Sequence, residues 1–347
     1  MLSFSSPPTN LCILRLSAIG DVTHVLPSLN CIQKQWPDCK ITWIIGKLEH
    51  QLVHDIPGVE FIIYDKSDKQ ANKKLKASLA NRQFDVLLHM QISLRASFAS
   101  RHIHAKYRVG FDFKRARNLQ WLFTNHKTAH VAEQHVLDSF LQFPKYLGLT
   151  TDEIIWDIPL SDDDKEFVKQ EISADKFAVI NPSASNAIRN WGTDHYATII
   201  DYLFERYQLP TVLTGGPTKH EISLSQEIAD EAINKPVILT GKTSLKQLAA
   251  TLQQAKLVIA PDTGPAHIAN AMGTKVIGLY ANSNPYRTGP YSCIDICVNK
   301  YPTALKATYK KEVNEVRWGR RVRRDDIMDF ITKDDVIEKI DLALKDQ

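Results

Sequence analysis

The stretch Lys256-Leu-Val-Ile-Ala-Pro-Asp-Thr-Gly-Pro-Ala-His-Ile-Ala-Asn-Ala-Met-Gly273 constrains the fold more than any other. Leu257 to Ala260 is a short apolar run of the kind buried on both faces, as in a parallel sheet covered by helices. Ala266 to Met272 is small and apolar, which suits a helix packed closely on that sheet. Asp262, Thr263 and Gly264 fall at the junction. In an open α/β sheet such a turn aims helix N–H groups at the carboxyl end of the strands, so it is a candidate phosphate site. The same residues, with Pro265 behind them, would equally make an ordinary helix cap, and His267 would equally be structural.

The rest of the chain repeats the pattern. Leu11 to Leu16 reads as a strand, Ser17-Ala-Ile-Gly-Asp21 as a tight turn, and Val22 to Gln35 as a helix. Strands follow at Ile41–Ile45, Val59–Tyr64, Asp85–Met90 and Tyr107–Phe111, with helical or linking segments at Leu48–Asp55, Asp68–Asn81 and Leu94–His102, then a helix at Glu133–Leu147. Thr150 to Asp164, with Pro159 and the acidic run Asp162-Asp-Asp164, reads as a linker ending in the cap of a helix at Glu166–Ser173. The pattern then restarts, with strands at Phe177–Ile180, Thr211–Thr214, Val237–Leu239, Leu257–Ala260 and Lys275–Tyr280, helices between them, and an amphipathic helix at Ile331–Lys345. Alternation of this kind predicts two consecutive α/β domains with parallel sheets, at residues 1–160 and 161–325, followed by a segment at 326–347. Two such lobes are expected to enclose a cleft with ligands at the carboxyl ends of both sheets.

Composition narrows the class. With 347 residues, 44% hydrophobic and 24% charged, the chain has the make-up of a globular protein with room for two cores. No apolar run approaches the ~18 residues of a spanning helix. Met1 to Asn10 lacks the basic start and apolar core of a signal peptide and reads as a frayed leader. Five cysteines without a Cys-x-x-Cys pair suggest neither a disulfide framework nor zinc, and fit a reducing cytoplasm. The net charge of +4 is unevenly spread: Lys66 to His130 holds fourteen Lys and Arg against Asp68, Asp85 and Asp112, about +11, which leaves the remainder near −7. Such asymmetry implies an acidic partner or, more plainly, a solvated basic surface.

Three further turns carry chemistry. Asp21 follows the first strand and, from this turn alone, would cap the next helix. Asn181-Pro-Ser-Ala-Ser-Asn-Ala-Ile-Arg-Asn-Trp191 brings Ser183, Ser185 and the guanidinium of Arg189, donors that match phosphate oxygens, or else a surface Arg and a core Trp. Thr214-Gly-Gly-Pro-Thr-Lys-His-Glu221 places Gly215 and Gly216 after a strand, where a nucleotide can approach the backbone, with Glu221 beyond as a ribose acceptor or a helix-start acid. No Gly-x-Gly-x-x-Gly fingerprint or Walker lysine loop is present.

Asp262-Thr-Gly-Pro-Ala-His267 with its Ala-Asn-Ala-Met-Gly273 helix resembles the donor-site signature of glycosyltransferase family 9, the ADP-heptose:lipopolysaccharide heptosyltransferases. Ser17-Ala-Ile-Gly-Asp-Val22, with His24 and Pro27, is similar to the family's opening motif, and the resemblance runs in order from about Leu11 to Thr288. It implies the GT-B architecture: two Rossmann-like lobes, a cleft, and a C-terminal helix crossing back to the first lobe. By the same resemblance Asp21 is the general base, and Ser185, Arg189, Gly215, Glu221, Asp262, Thr263, Gly264 and His267 bind the donor. Asp262 would face the sugar hydroxyls, with Thr263 and the helix N–H groups at the phosphate. Heptosyltransferase I commonly has Lys and Thr where this chain has Arg189 and Ser185, so the subfamily stays open. Gly110-Phe-Asp112 and His130-Val-Ala-Glu-Gln-His135 look like positions near the acceptor, and His130, His135, Arg95 and Arg117 are its candidate contacts.

The function so implied is metal-independent, inverting transfer of a heptose from ADP-heptose, with no cofactor, to the Kdo–lipid A region of lipopolysaccharide. The enzyme would sit in the cytoplasm at the inner face of the inner membrane, held to the anionic surface by its basic lobe, to which Arg317 to Arg324 would add or else form a solvated loop. No nucleic acid and no obligate protein partner is expected. The rivals are a related transferase using another nucleotide sugar, a nicotinamide-dependent dehydrogenase, which the missing glycine fingerprint disfavours, and a nucleic-acid-binding protein stacking bases on Tyr107, Phe111, Phe113, Trp121 and Phe123.

Overall fold

The structure, a computed structural model, describes residue 2 and residues 4–345, so Met1, Ser3, Asp346 and Gln347 lie outside the described residues. The chain divides between Pro159 and Leu160 into two compact units. In the first, strands β1 (Asn10–Leu14), β2 (Lys40–Gly46), β3 (Val59–Tyr64), β4 (Phe84–His89), β5 (Ala105–Gly110) and β6 (His126–Lys127) form one parallel sheet in the order β3-β2-β1-β4-β5-β6. In the second, β7 (Ala178–Ile180), β8 (Thr211–Leu213), β9 (Val237–Ile238), β10 (Leu257–Pro261), β11 (Val276–Tyr280) and β12 (Val298–Asn299) form another, in the order β12-β11-β10-β7-β8-β9.

Both orders reverse direction once, between β1 and β4 in the first sheet and between β7 and β10 in the second. At such a switch point the loops leaving two neighbouring strands diverge to opposite faces and leave a crevice at the strands' carboxyl ends. The central strands are sealed: Leu11 to Leu14 and Leu257 to Ala260 have no exposed surface, because helices cover both faces. The two-residue strands β6 and β12 were not legible in the sequence: His126–Lys127 is polar, and Val298–Asn299 has a single apolar residue.

Two expectations need correction. The leader is docked rather than frayed: Leu2 N donates to Tyr146 O at 2.7 Å, and the Phe4 ring meets Trp36 and Tyr107 edge-on, each at 5.6 Å. The acidic run does not precede its helix but forms the first turn of helix Asp162–Glu171, with Ser161 as the N-cap and Asp164 closing a capping box.

The final helix is Lys333–Leu344, and Val336, Ile340, Ala343 and Leu344 on it are part of the second unit's apolar core. Asp341 accepts from Tyr202 and Tyr207 at 2.6 and 2.8 Å, and Lys275 donates to Ala343 O at 2.7 Å. An amphipathic pattern shows that a helix has a face to bury and does not say against which domain.

Candidate functional site

In the second unit the residues singled out after β7 and β10 meet at the switch point. Asp262 follows β10 and Asn181 follows β7, and these strands are direct neighbours. Asn181 Nδ2 donates to Thr214 O, which follows β8, at 2.7 Å, and Thr263 Oγ1 donates to Asn181 Oδ1 at 3.5 Å. One asparagine therefore ties three turns together. Thr263 is the N-cap of helix Gly264–Ala271 but its hydroxyl makes no capping bond, so the plain helix-cap alternative is not how this side chain is used.

Asp262 is the hub. Its carboxylate is nine-tenths buried; Oδ2 accepts from Ser283 Oγ at 2.9 Å and lies 3.7 Å from Arg189 Nη1, while Oδ1 lies 3.8 Å from His267 Nε2. Burial alone would raise its pKa; the His267 ring, the Arg189 guanidinium and the Ser283 hydroxyl outweigh this and hold it below the usual carboxylate range. Arg189 Nη1 also donates to the Asp262 carbonyl, and Nη2 donates to Ser185 Oγ at 2.9 Å. Its buried Nε has no hydrogen-bond partner among the described residues.

Trp191, buried, fixes the far end of the same loop through Nε1 to Ile331 O at 2.9 Å. The Arg189-x-Trp191 spacing thus pairs the Arg189 guanidinium with the anchor that holds its loop.

Glu221 and Gly215 are placed differently. Glu221 Oε1 accepts from Gly216 N at 3.0 Å and Oε2 from the Thr218 hydroxyl at 2.6 Å, with Thr218 capping helix Lys219–Glu231. The carboxylate is folded onto its own turn, and a Cβ on Gly216 would fall 2.8 Å from it. Gly215 supplies the carbonyl that accepts from Gly241 N at 3.0 Å.

Two contributors escaped the sequence reading. Ser283 follows β11, and no fixed spacing links it to Asp262. Arg321 stands beside Val322, whose N donates to Asn282 O at 2.9 Å and whose carbonyl accepts from Asn282 Nδ2. That staple brings the exposed Arg321 close enough for its charge to lower the pKa of Arg189, on top of burial and against the pull of Asp262.

In the first unit, Asp21 lies in the first turn of helix Ile19–Gln35. Its Oδ2 pairs with Arg15 Nη2 and accepts from Ala18 N at 3.4 Å, which leaves Oδ1 uncommitted among the described residues. Arg15 is 9% exposed against 37% for Asp21; its Nη1 donates to Met90 O at 2.7 Å and its guanidinium lies over the Phe140 ring. A lone Arg inside the apolar run Leu11 to Leu16 is the signal that would have found it, since a buried guanidinium requires a partner.

The Ser17 turn is braced by Gln91, after β4, whose Oε1 accepts from Leu16 N and Ser17 N at 3.0 and 3.2 Å. A cavity of about 580 Å³ opens there, lined among others by Ser17, Lys47, Lys66, Gln91 and Arg95. Of the other acceptor candidates, His130 Nδ1 lies 3.0 Å from the buried Asp112, which also faces Arg115 at 3.4 Å. His135 is buried, its Nδ1 accepting from Leu137 N at 3.0 Å as an N-cap, with its ring edge-on to His24. Arg117 is exposed. Among the described residues no group of three or more His, Cys, Asp or Glu could hold a metal ion, and no helix is long and apolar enough to cross a membrane.

Two Rossmann-like units, each with its polar residues gathered at a switch point, are the architecture of GT-B glycosyltransferases. Residues 72–317 match glycosyltransferase family 9 (heptosyltransferase), and the chain belongs to that family. It is 38% identical to the lipopolysaccharide core heptosyltransferase OpsX of Haemophilus influenzae over 96% of each chain. Among solved structures it is similar to a family 9 glycosyltransferase from Veillonella parvula, with a TM-score of 0.79, 23% identity and 98% of each chain covered. The heptosyltransferase WaaC of Escherichia coli with ADP gives a TM-score of 0.72 at 21% identity over 96% of this chain and 99% of that one.

Proposed function

We propose that the protein transfers a heptose from ADP-heptose to the acidic inner core of lipopolysaccharide, in the Kdo–lipid A region, with inversion and without a metal. The observation that carries the donor half is the cluster of Arg189, Asp262, Ser283 and His267 at the second switch point. A leaving diphosphate needs fixed positive charge, which the free Nε of Arg189, the charge of Arg321 and the N–H groups from Gly264 onward supply. Asp262 orients Arg189 and His267 and offers its remaining lone pairs to sugar hydroxyls. Thr263 stands at the phosphate, and Gly215 and Glu221 border the nucleoside. Ser185 holds the guanidinium fork in plane.

On the first unit, Asp21 Oδ1 takes the proton of the acceptor hydroxyl as that oxygen bonds to the sugar carbon and the carbon–phosphate oxygen bond breaks. A single displacement of this kind inverts the anomeric centre. Lys66 and Arg95 in the cavity, with Arg117 and His130 nearby in sequence, meet the carboxylates of the acceptor, and His135 acts behind them as a positioning residue. The enzyme works at the cytoplasmic face of the inner membrane, where the basic stretch from Lys66 to His130 is drawn to anionic lipid.

Calorimetric titration with ADP, UDP, GDP and NAD without metal tests this directly. ADP is expected to bind selectively, and Asp21→Ala to keep that affinity while losing turnover on ADP-heptose, which a chelator leaves unchanged in the wild type. Preference for UDP or GDP would discard the heptose, and loss of ADP affinity in folded Asp21→Ala would discard the base.

A further inference from the structure

The segment between β5 and β6 leaves several large apolar side chains in water. Phe113 is 65% exposed, Leu122 59% and Leu119 51%, with Trp121 also exposed. Phe98, half exposed on helix Leu94–Ala99, is continuous with them through its edge contact to Phe123 at 5.7 Å, and Phe113 leans on Trp121 at 6.1 Å. Single exposed apolar residues need no explanation; a connected group of them does. The backbone is an independent sign. Asn118 and Leu119 are both left-handed, with φ of 53° and 58°. That conformation is costly for a leucine, and here it holds the side chain out in solvent.

Cations interleave with this patch. Lys114, Arg117 and Lys127 are exposed, and Lys127 sits 5.5 Å over the Phe113 ring. The one carboxylate of the segment, Asp112, is buried against Arg115 and His130 and offsets none of them. Aromatic rings beside aliphatic tips, framed by one sign of charge, suit the boundary between lipid headgroups and acyl chains: the apolar groups enter it and the cations reach phosphate. Base stacking on Phe111 or Tyr107 is closed off, since Phe111 is buried and Tyr107 is packed between Phe4 and His126.

We propose that this face of the first unit, from Phe98 to Lys127, docks on the anionic leaflet by inserting Phe113, Leu119, Trp121 and Leu122 into its interface. The inference rests on the reading that the acceptor is anchored in a membrane, and it goes beyond charge attraction to insertion.

The test is sedimentation of the full chain with phosphatidylethanolamine/phosphatidylglycerol vesicles at low and high salt, for the wild type and Phe113→Ser/Leu122→Ser. Removing two inserted side chains is expected to weaken partitioning at least tenfold. The wild type should keep part of its binding at high salt, where pure charge attraction fades, and the variant should lose it. ADP affinity and turnover on a delipidated, water-soluble acceptor should be unchanged in the variant. Equal binding by the two proteins would overturn insertion while leaving transferase activity standing. So would loss of activity on the soluble acceptor, or a wild-type dimer that the variant converts to monomer, which would make a second copy the occupant. Intact insertion with no heptosyl transfer would instead sink the transferase reading alone.

Discussion

Replacing Arg189 with Ala should harm the protein in two separable ways. Its guanidinium lies 3.7 Å from the Asp262 carboxylate. At that distance, with an effective dielectric of about 20, the attraction is about 4 kcal/mol, and partial opening of the pair toward solvent screens it to about 2 kcal/mol. Arg189→Ala strands Asp262 with only Ser283 and His267, so the second unit should lose about 2–4 kcal/mol of stability. It also removes a charge-assisted donor to phosphate, about 1.5–3 kcal/mol, or roughly a 10- to 150-fold loss of ADP affinity.

Adding Asp262→Asn relieves the stranded charge. The double variant should therefore recover about 1–2 kcal/mol of stability relative to additivity without recovering ADP binding. Denaturant melts read the first quantity and calorimetry the second. Additive stability losses would refute the coupling, and unchanged ADP affinity in Arg189→Ala would refute the phosphate role.

Arg15→Met, a near-isosteric loss of charge beneath Asp21, should lower kcat at least tenfold with ADP affinity unchanged, and Arg15→Lys should restore part of it; equal turnover in all three proteins would remove Arg15 from the mechanism. Thr218→Ala and Glu221→Ala should each cost about 1 kcal/mol in melts as the helix cap is lost; if Glu221 also borders the nucleoside, only its variant should weaken ADP, and identical affinities would leave it a cap. His89, fully buried, is pushed down to about 3 by burial and then by Arg108. It folds neutral, whereas the unfolded chain binds its proton below about pH 6.5, so its contribution is complete above 6.5 and is lost as pH falls toward 3, about 2 kcal/mol by pH 5. His89→Gln should flatten that slope by up to one proton, and an unchanged slope would refute the assignment.

Much of the architecture was legible because parallel strands buried on both faces are apolar runs with a length and a spacing. Val59–Tyr64 was readable to the residue. The Arg189 and Asp262 turns were legible for a related reason: a polar residue directly after a buried strand must emerge at the sheet's carboxyl end. Ser283 and Arg321 gave no such sign, since hydroxyls and arginines in loops are common and only their neighbours make these two special. Glu221 shows the opposite limit, for its placement three residues after Thr218 suits both a ligand and a cap, and the cap is the contact that the fold makes.

From the sequence alone follows the parallel α/β class, because it is written in local spacing and burial pattern. Strand order was decided only in three dimensions: that β7 lies beside β10, and so sets Asn181 against Thr263, depends on which way each crossover turns. So were the partners of the last helix, whose Asp341 meets Tyr202 and Tyr207. Local forces act through residues a few positions apart, whereas Arg189 and Ser283 lie 73 and 21 positions from Asp262 and meet it only once the sheet is built.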